Sequence, residues 1–270
     1  MFKNNNQIIK YCIRHMSDKQ LIHRYYDELE IKYEKSDSYL KLADRLDVEG
    51  APEIKIDELR NYFRSKWKPA PTDLHLKNLK TGLLNGHNWH GAMPSMLHLS
   101  MQERVRDCIE GKIALENLIS IGADIMKHEY FMVATHDLLE TIIIENFDDA
   151  IPPIGKKSIS DFVFNGIPYD MKNTNYFSNW TRESVNENKK QVAQELISGA
   201  DISRIRKQAE GSINGWGLNR FYIMVEDQEL WLREPEKILQ LVLNEAEKLA
   251  DPFDVEVEND IAFKAQLIAI

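Results

Sequence analysis

The stretch SISDFVFNGIPYDMKNT, residues 158–174, decides the fold. Asn165-Gly166 is the residue pair most favoured in a two-residue β-turn, and apolar residues flank it on both sides, so the stretch predicts a hairpin of two short strands. Period-two geometry puts Asp170 and Lys172 on one face of the second strand and Met171 on the other. Asp161 heads the first strand. If the strands pair across the turn, two carboxylates and an ammonium gather at one end of the hairpin. Two hard oxygen ligands, waters and the backbone carbonyl of Met171 are a set that Mg²⁺ takes. A lysine alongside can orient water or stabilise charge building on a phosphate.

Working outward, residues 99–147 read as helical with a break at Gly122. The second part carries Met126, Tyr130, Val133, Leu138, Leu139, Ile142 and Ile143, and stops before Ile151-Pro152-Pro153. After the hairpin, 184–210 reads as helix, with Val192, Leu196 and Ile197 on one face. RFYIMV (220–225) and LWLR (230–233) predict a second hairpin, 234–250 an amphipathic helix, and 253–270 one or two strands. Upstream, 7–65 reads as helices with short breaks. Ser17-Asp18 is a candidate cap for a helix through 20–35, Asp57 to Trp67 resumes after Gly50-Ala51-Pro52, and Pro69, Pro71, Gly82, Gly86, Gly91 and Pro94 predict a loop-rich stretch. This alternation predicts a mixed α/β (α+β) fold. Residues 1–98 form a helical N-terminal region and 99–270 the core domain.

The chain has 270 residues, 43% of them apolar and 29% charged, enough for a sizeable core. No apolar run approaches the roughly 20 residues that span a bilayer, so no membrane partner is expected. The start, MFKNNNQIIKYC, lacks a secretory signal, and Cys12 and Cys108 are the only cysteines, which excludes a disulfide scaffold and suits the cytoplasm. The net charge of −9 argues against a general polyanion binder, but the charge is uneven. Residues 101–150 hold 4 basic and 11 acidic side chains, whereas 60–90 hold six Lys and Arg against the single acid Asp73. Confined basic surfaces on an acidic protein can still bind nucleic acid.

The pattern acid-x-Lys occurs five times, starting at Glu30, Glu53, Glu110, Asp170 and Glu187, so the spacing alone says little. The copy at Asp170 differs in lying on an apolar-flanked strand that follows an acid-headed strand through a tight turn. Asp161-x8-Asp170-Met171-Lys172 resembles the active-site motif of the PD-(D/E)xK nuclease superfamily, and in particular its type II restriction endonucleases. The resemblance spans about 125–235 in the order helix, hairpin, helix, strand. Ser160 stands where the family pattern has proline, and the first hundred residues carry no part of the likeness. It implies a restriction-endonuclease-like core with a central mixed sheet flanked by helices, and Mg²⁺-dependent cleavage of double-stranded DNA. By that likeness Asp161, Asp170 and the Met171 carbonyl hold the metal and Lys172 positions water. A glutamate on the preceding helix joins them, Glu140 being the best match and Glu145 the alternative. Cutting both strands of a palindrome implies a homodimer.

For DNA contact, Lys66, Lys68, Lys77 and Lys80 interleave with aromatic residues, and Arg60 and Arg64 lie in the same stretch. Asn85, His87 and Asn88 can hydrogen-bond base edges. After the hairpin, Lys189, Lys190, Gln191 and Gln194 open a helix and Arg220 begins a strand; with Arg204, Arg206 and Lys207 they are further candidates for phosphate contact. The competing reading is that these aromatics pack a core while the cations face water. His87-Asn88-Trp89-His90 lacks the cysteines and framing of a His-Asn-His nuclease, and His136 beside Asp137 reads as a structural helix histidine. No phosphate-cradling P-loop, no GxGxxG after a strand and no GxSxG is present. Alternatives to restriction are a related nuclease in repair, junction or transposon processing, and a non-catalytic DNA- or protein-binding module.

Overall fold

Asn165 and Gly166 both take positive φ (50° and 72°), the signature of the turn that matches strand twist. They join β1 (Phe162–Phe164) to β2 (Ile167–Asn175) as an antiparallel hairpin in which Phe162 faces Tyr169 and Phe164 faces Ile167. These elements come from a computed structural model that describes residues 5–81, 104–155, 158–175, 180–198, 218–227, 229–258 and 261–270. β3 (Arg220–Val225) runs parallel to β2, with Asp170 opposite Arg220 and Lys172 opposite Tyr222. β5 (Ile261–Ala269) runs parallel to β3, and β4 (Phe253–Glu258) closes the far edge antiparallel to β5. The result is a five-stranded mixed sheet in the order β1-β2-β3-β5-β4.

Helices cover both faces. Preceding the hairpin are α1 (Asn5–His15), α2 (Lys19–Glu28), α3 (Tyr39–Asp44), α4 (Ile56–Lys66), α5 (Thr72–Thr81), α6 (104–109) and α7 (Leu115–Asn146). α8 (Arg182–Glu187) and α9 (Lys189–Ser198) lie between β2 and β3, and α10 (Leu230–Arg233) and α11 (Pro235–Ala246) between β3 and β4. β3 is buried at every position, as expected for a strand covered on both sides. Phe221, Ile223 and Val225 join Leu138, Leu139, Ile142 and Ile143 of α7 and Ile238 and Val242 of α11 in one core. Tyr222 and Met224 turn the other way, to Val185, Val192 and Ile197. A third core belongs to α1–α4 but includes Ile151 and Val163, while Leu79 of α5 packs with the sheet, so the cores interleave across the 98/99 division.

Several local expectations change. LWLR is helical because β3 already has a hydrogen-bonded neighbour on each side. Asp227 starts that turn by accepting from the backbone N–H of Glu229 (2.9 Å), and Trp231 drops into the core. A four-residue apolar run cannot separate strand from buried helix. α7 passes straight through Gly122, for one glycine costs only about 1 kcal/mol in a helix interior. The break falls at Gly111 (φ 72°), where the Gly111 N–H donates to the Cys108 carbonyl (3.1 Å) at the end of α6. The loop-rich reading after Pro69 gives way to α5, since Pro71 lies just before the first turn, where a missing N–H is harmless. α2 stops at Glu28, well short of 35, although Asp18 caps it as anticipated, accepting from the Gln20 (2.9 Å) and Leu21 (3.2 Å) N–H groups.

Candidate active site

The head of the β1–β2 hairpin meets the C-terminal half of α7. Asp161, the residue before β1, donates its backbone N–H to the Tyr169 carbonyl (2.8 Å), and its Oδ2 accepts the Met171 N–H (2.7 Å). Its side chain thus spans to β2. Met171 buries its own side chain in the core, which leaves Asp170 and Lys172 on the opposite face, as period two requires. Lys172 pairs with Asp170 Oδ1, and Arg220 Nη1 lies 3.2 Å from Asp170 Oδ2. Asp170 is therefore bracketed by two cations. Arg220 is buried, not set on the surface where a phosphate contact needs it.

From α7, His136 reaches the same place. Its Nε2 lies 3.3 Å from the Met171 carbonyl oxygen and 3.6 Å from Asp161 Oδ2, and its Nδ1 lies 3.5 Å from Asp137 Oδ1. Ligand atoms of His136, Asp137 and Glu140 all fall within 4.8 Å of one another. Glu140, one turn beyond His136, has no hydrogen bond or ion pair among the described residues. Just before His136, Thr135 is buried and its hydroxyl accepts from the Asn173 side-chain amide, fixing α7 against β2.

The electrostatics follow from this crowding. Burial, then the nearby Asp161, pushes the Glu140 carboxyl up to about 8, because the seam disfavours another negative charge. Burial works against charge on His136, but the carboxylates of Asp137 and Asp161 outweigh it and raise its pKa to about 10. Burial also works against an ionised Asp161, yet His136, the charge of Lys172 and the Met171 N–H together hold its carboxyl below the usual range. Lys172 thus acts on both aspartates, paired with one and felt by the other.

The N-terminal helices hold the segment that delivers Asp161. Backbone N–H groups of Ile154 (2.8 Å) and Gly155 (3.0 Å) donate to the Met16 carbonyl, and that of Ile159 (3.1 Å) to the His15 carbonyl, all at the end of α1. A Cβ on Gly155 would stand 2.3 Å from the Ser17 carbonyl oxygen, so only glycine permits this approach. Tyr11 of α1 and Ser160 share a buried hydrogen bond of 2.6 Å.

Of the proposed DNA-contact residues, Lys68, Lys77 and Lys190 are exposed. Lys66 is half-buried, with its ammonium 5.0 Å from the centroid of the Tyr62 ring, and Lys189 is half-buried with its pKa lowered by burial. Gln194 donates to the Glu256 carbonyl. Arg64 caps the end of α7, donating to the carbonyls of Ala150 (3.0 Å), Ile144 (2.8 Å) and Phe147, and Arg60 pairs with Asp57 (2.9 Å). Tyr62 and Phe63 are core residues, so this part of the basic-aromatic stretch serves packing. Lys80 lies in α5. Asn85, His87, Asn88 and His90, like Arg204, Arg206 and Lys207, lie outside the described residues.

Sequence reasoning passed over His136, although a signal existed: His136 and Glu140 are spaced i, i+4 and share a helix face. No described helix is long and apolar enough to cross a membrane. No protein-family model, curated protein or solved structure matches the chain.

Proposed function

We propose that this protein is a divalent-metal-dependent endonuclease of the PD-(D/E)xK kind, with type II restriction cleavage of double-stranded DNA as its activity and a homodimer as its working form. One observation carries the reading. Asp161, Glu140 and His136 meet where the hairpin head packs against α7, and Lys172, held by Asp170 on the opposite face of β2, lies close enough for its charge to act on Asp161. The order of α7, the β1–β2 hairpin, α8–α9 and β3 within a helix-flanked mixed sheet agrees with the core that the sequence likeness implies.

The residues suit a hard cation. A partly buried carboxylate with a raised pKa gains from a positive neighbour, and Asp161, Glu140 and the Met171 carbonyl supply oxygen donors. When bound, Mg²⁺ supplies Lewis-acid stabilisation of the charge that develops on the phosphate. Lys172 positions the attacking water and offsets negative charge on the non-bridging oxygens. Asp170 holds Lys172, and Arg220 in turn holds Asp170. The water oxygen bonds to phosphorus as the bond from phosphorus to the 3′ oxygen breaks, leaving 5′-phosphate and 3′-hydroxyl ends. Lys68 and Lys190 are exposed cations available to the DNA backbone.

Plasmid DNA incubated with the purified protein and Mg²⁺ tests this. Discrete fragments with a common end sequence are expected, and Asp161→Asn and Lys172→Ala should abolish them while DNA binding persists. Full cutting by either variant overturns the assignment. A second reading, a non-catalytic binding module, draws on the bracketing of Asp170 by Lys172 and Arg220, which also suits a structural ion pair. Binding without cleavage under any divalent ion favours it.

A further inference from the structure

We propose that His136 is a nitrogen ligand of the ion at this seam, and that the site therefore takes a first-row transition cation, with Mn²⁺ as its probe, in preference to Mg²⁺. The inference rests on the reading of the seam as a metal centre. It shifts the ligand set toward α7: His136, Glu140 and Asp161 with the Met171 carbonyl, rather than Asp161 and Asp170.

Three arrangements converge on it. His136 Nε2 points at two oxygens already named as ligands, 3.6 Å from Asp161 Oδ2 and 3.3 Å from the Met171 carbonyl, so an ion held by those oxygens has the imidazole as its neighbour and displaces the proton that the ring nitrogen carries in its absence. Its other nitrogen, Nδ1, faces Asp137 Oδ1 at 3.5 Å. A carboxylate on the second ring nitrogen is how metal-binding histidines are fixed in tautomer and orientation. Finally, Glu140 lies a helical turn from His136 on the same side, makes no hydrogen bond or ion pair among the described residues, and has its carboxylate within 4.8 Å of the His136 and Asp137 ligand atoms.

Asp170, by contrast, is committed to Lys172 and Arg220, and a metal there must displace both cations. The choice of ion follows from the donors. Mg²⁺ favours an all-oxygen octahedron with several waters, whereas one imidazole among carboxylates raises affinity for the first-row transition ions.

The experiment uses the full-length protein after chelator treatment. Calorimetric titration with MnCl₂ and, separately, MgCl₂ gives the preference, and pulsed electron paramagnetic resonance on the Mn²⁺ complex reports directly bound ¹⁴N. Tighter binding of Mn²⁺ is expected, with a nitrogen coupling that changes to the ¹⁵N pattern in protein grown on ¹⁵N-histidine. His136→Gln should remove the coupling and weaken Mn²⁺ by at least tenfold, while Mg²⁺ affinity stays within about twofold. Asp137→Asn keeps the imidazole and should weaken Mn²⁺ about tenfold, which guards against a folding defect in the first variant. A Mn²⁺ complex without nitrogen coupling, a coupling that survives His136→Gln, or no divalent binding at all overturns the proposal. DNA cleavage by a protein whose Mn²⁺ complex lacks that coupling sinks this assignment and leaves the nuclease reading standing. Nitrogen coupling in a protein that cuts no DNA does the reverse.

Discussion

α1 and α7 both press on the β1–β2 hairpin, but they bring opposite kinds of surface to it. The end of α1 offers neutral carbonyls, and Ile154, Gly155 and Ile159 satisfy them with backbone N–H groups. Around it Tyr11, Cys12, Ile13, Met16 and Phe63 are sealed in a core. The C-terminal half of α7 brings Asp137 and Glu140 toward Asp161, and among the described residues His136 and Lys172 answer them with positive charge. The first contact is built to hold and the second to receive. Like charges gathered at one seam are the pattern expected where function opposes stability.

Substitutions that separate the two contacts should therefore move different observables. The largest effect expected is on the receiving side. Lys172→Ala should lower DNA cleavage by about 10³-fold, with a melting temperature close to that of the parent. A strong loss of stability in that variant would show that the lysine serves the fold. On the holding side, Phe63→Ala should cost about 3–5 kcal/mol in denaturant unfolding and leave the Mn²⁺ affinity of the folded protein unchanged. Gly155→Ala tests the link between the two contacts. The clash with the Ser17 carbonyl should cost about 1–3 kcal/mol and also lower cleavage, because the segment it displaces delivers Asp161. Stability lost with cleavage intact would uncouple them. Tyr11→Phe, which leaves the Ser160 hydroxyl without its buried partner, should cost about 1 kcal/mol.

The smallest effects lie in pH dependence, and the two contacts predict opposite signs. His15, buried in α1 and next to Arg14, has its pKa lowered to about 4, so the unfolded chain takes up a proton that the folded chain refuses. Its contribution is present above pH 6.5 and is lost as pH falls toward 4. Glu140 is raised to about 8, so in chelator-treated protein its contribution is complete below pH 4.5 and is lost as pH rises through 8. Denaturant unfolding across pH 4–9 should show His15→Gln flattening the acid limb and Glu140→Gln the alkaline limb. Interchanged limbs would reverse the comparison.

Much of the candidate site was legible because it is local. Asn165-Gly166 dictates the turn, and alternation along IPYDMK then places Asp170 and Lys172 together. Glu140 entered through the likeness to a nuclease motif rather than through a local pattern. Arg64 was misjudged because a guanidinium suited to phosphate is equally suited to helix-end carbonyls 80 and more residues away. Arg220 was misjudged for a similar reason: nothing near it in sequence reveals that β3 lies beside β2 and sets it opposite Asp170.

By itself, then, the chain determined the hairpin, the helices that flank it and the residue types able to bind a cation, since turn chemistry and side-chain periodicity act over a few neighbours. Only the tertiary structure decided which charge meets which. The parallel insertion of β3 gave Asp170 a buried arginine, and the packing of α7 on β2 set His136 against Asp161 and the Met171 carbonyl. Such pairings depend on burial and on distances through space, and no local pattern encodes either.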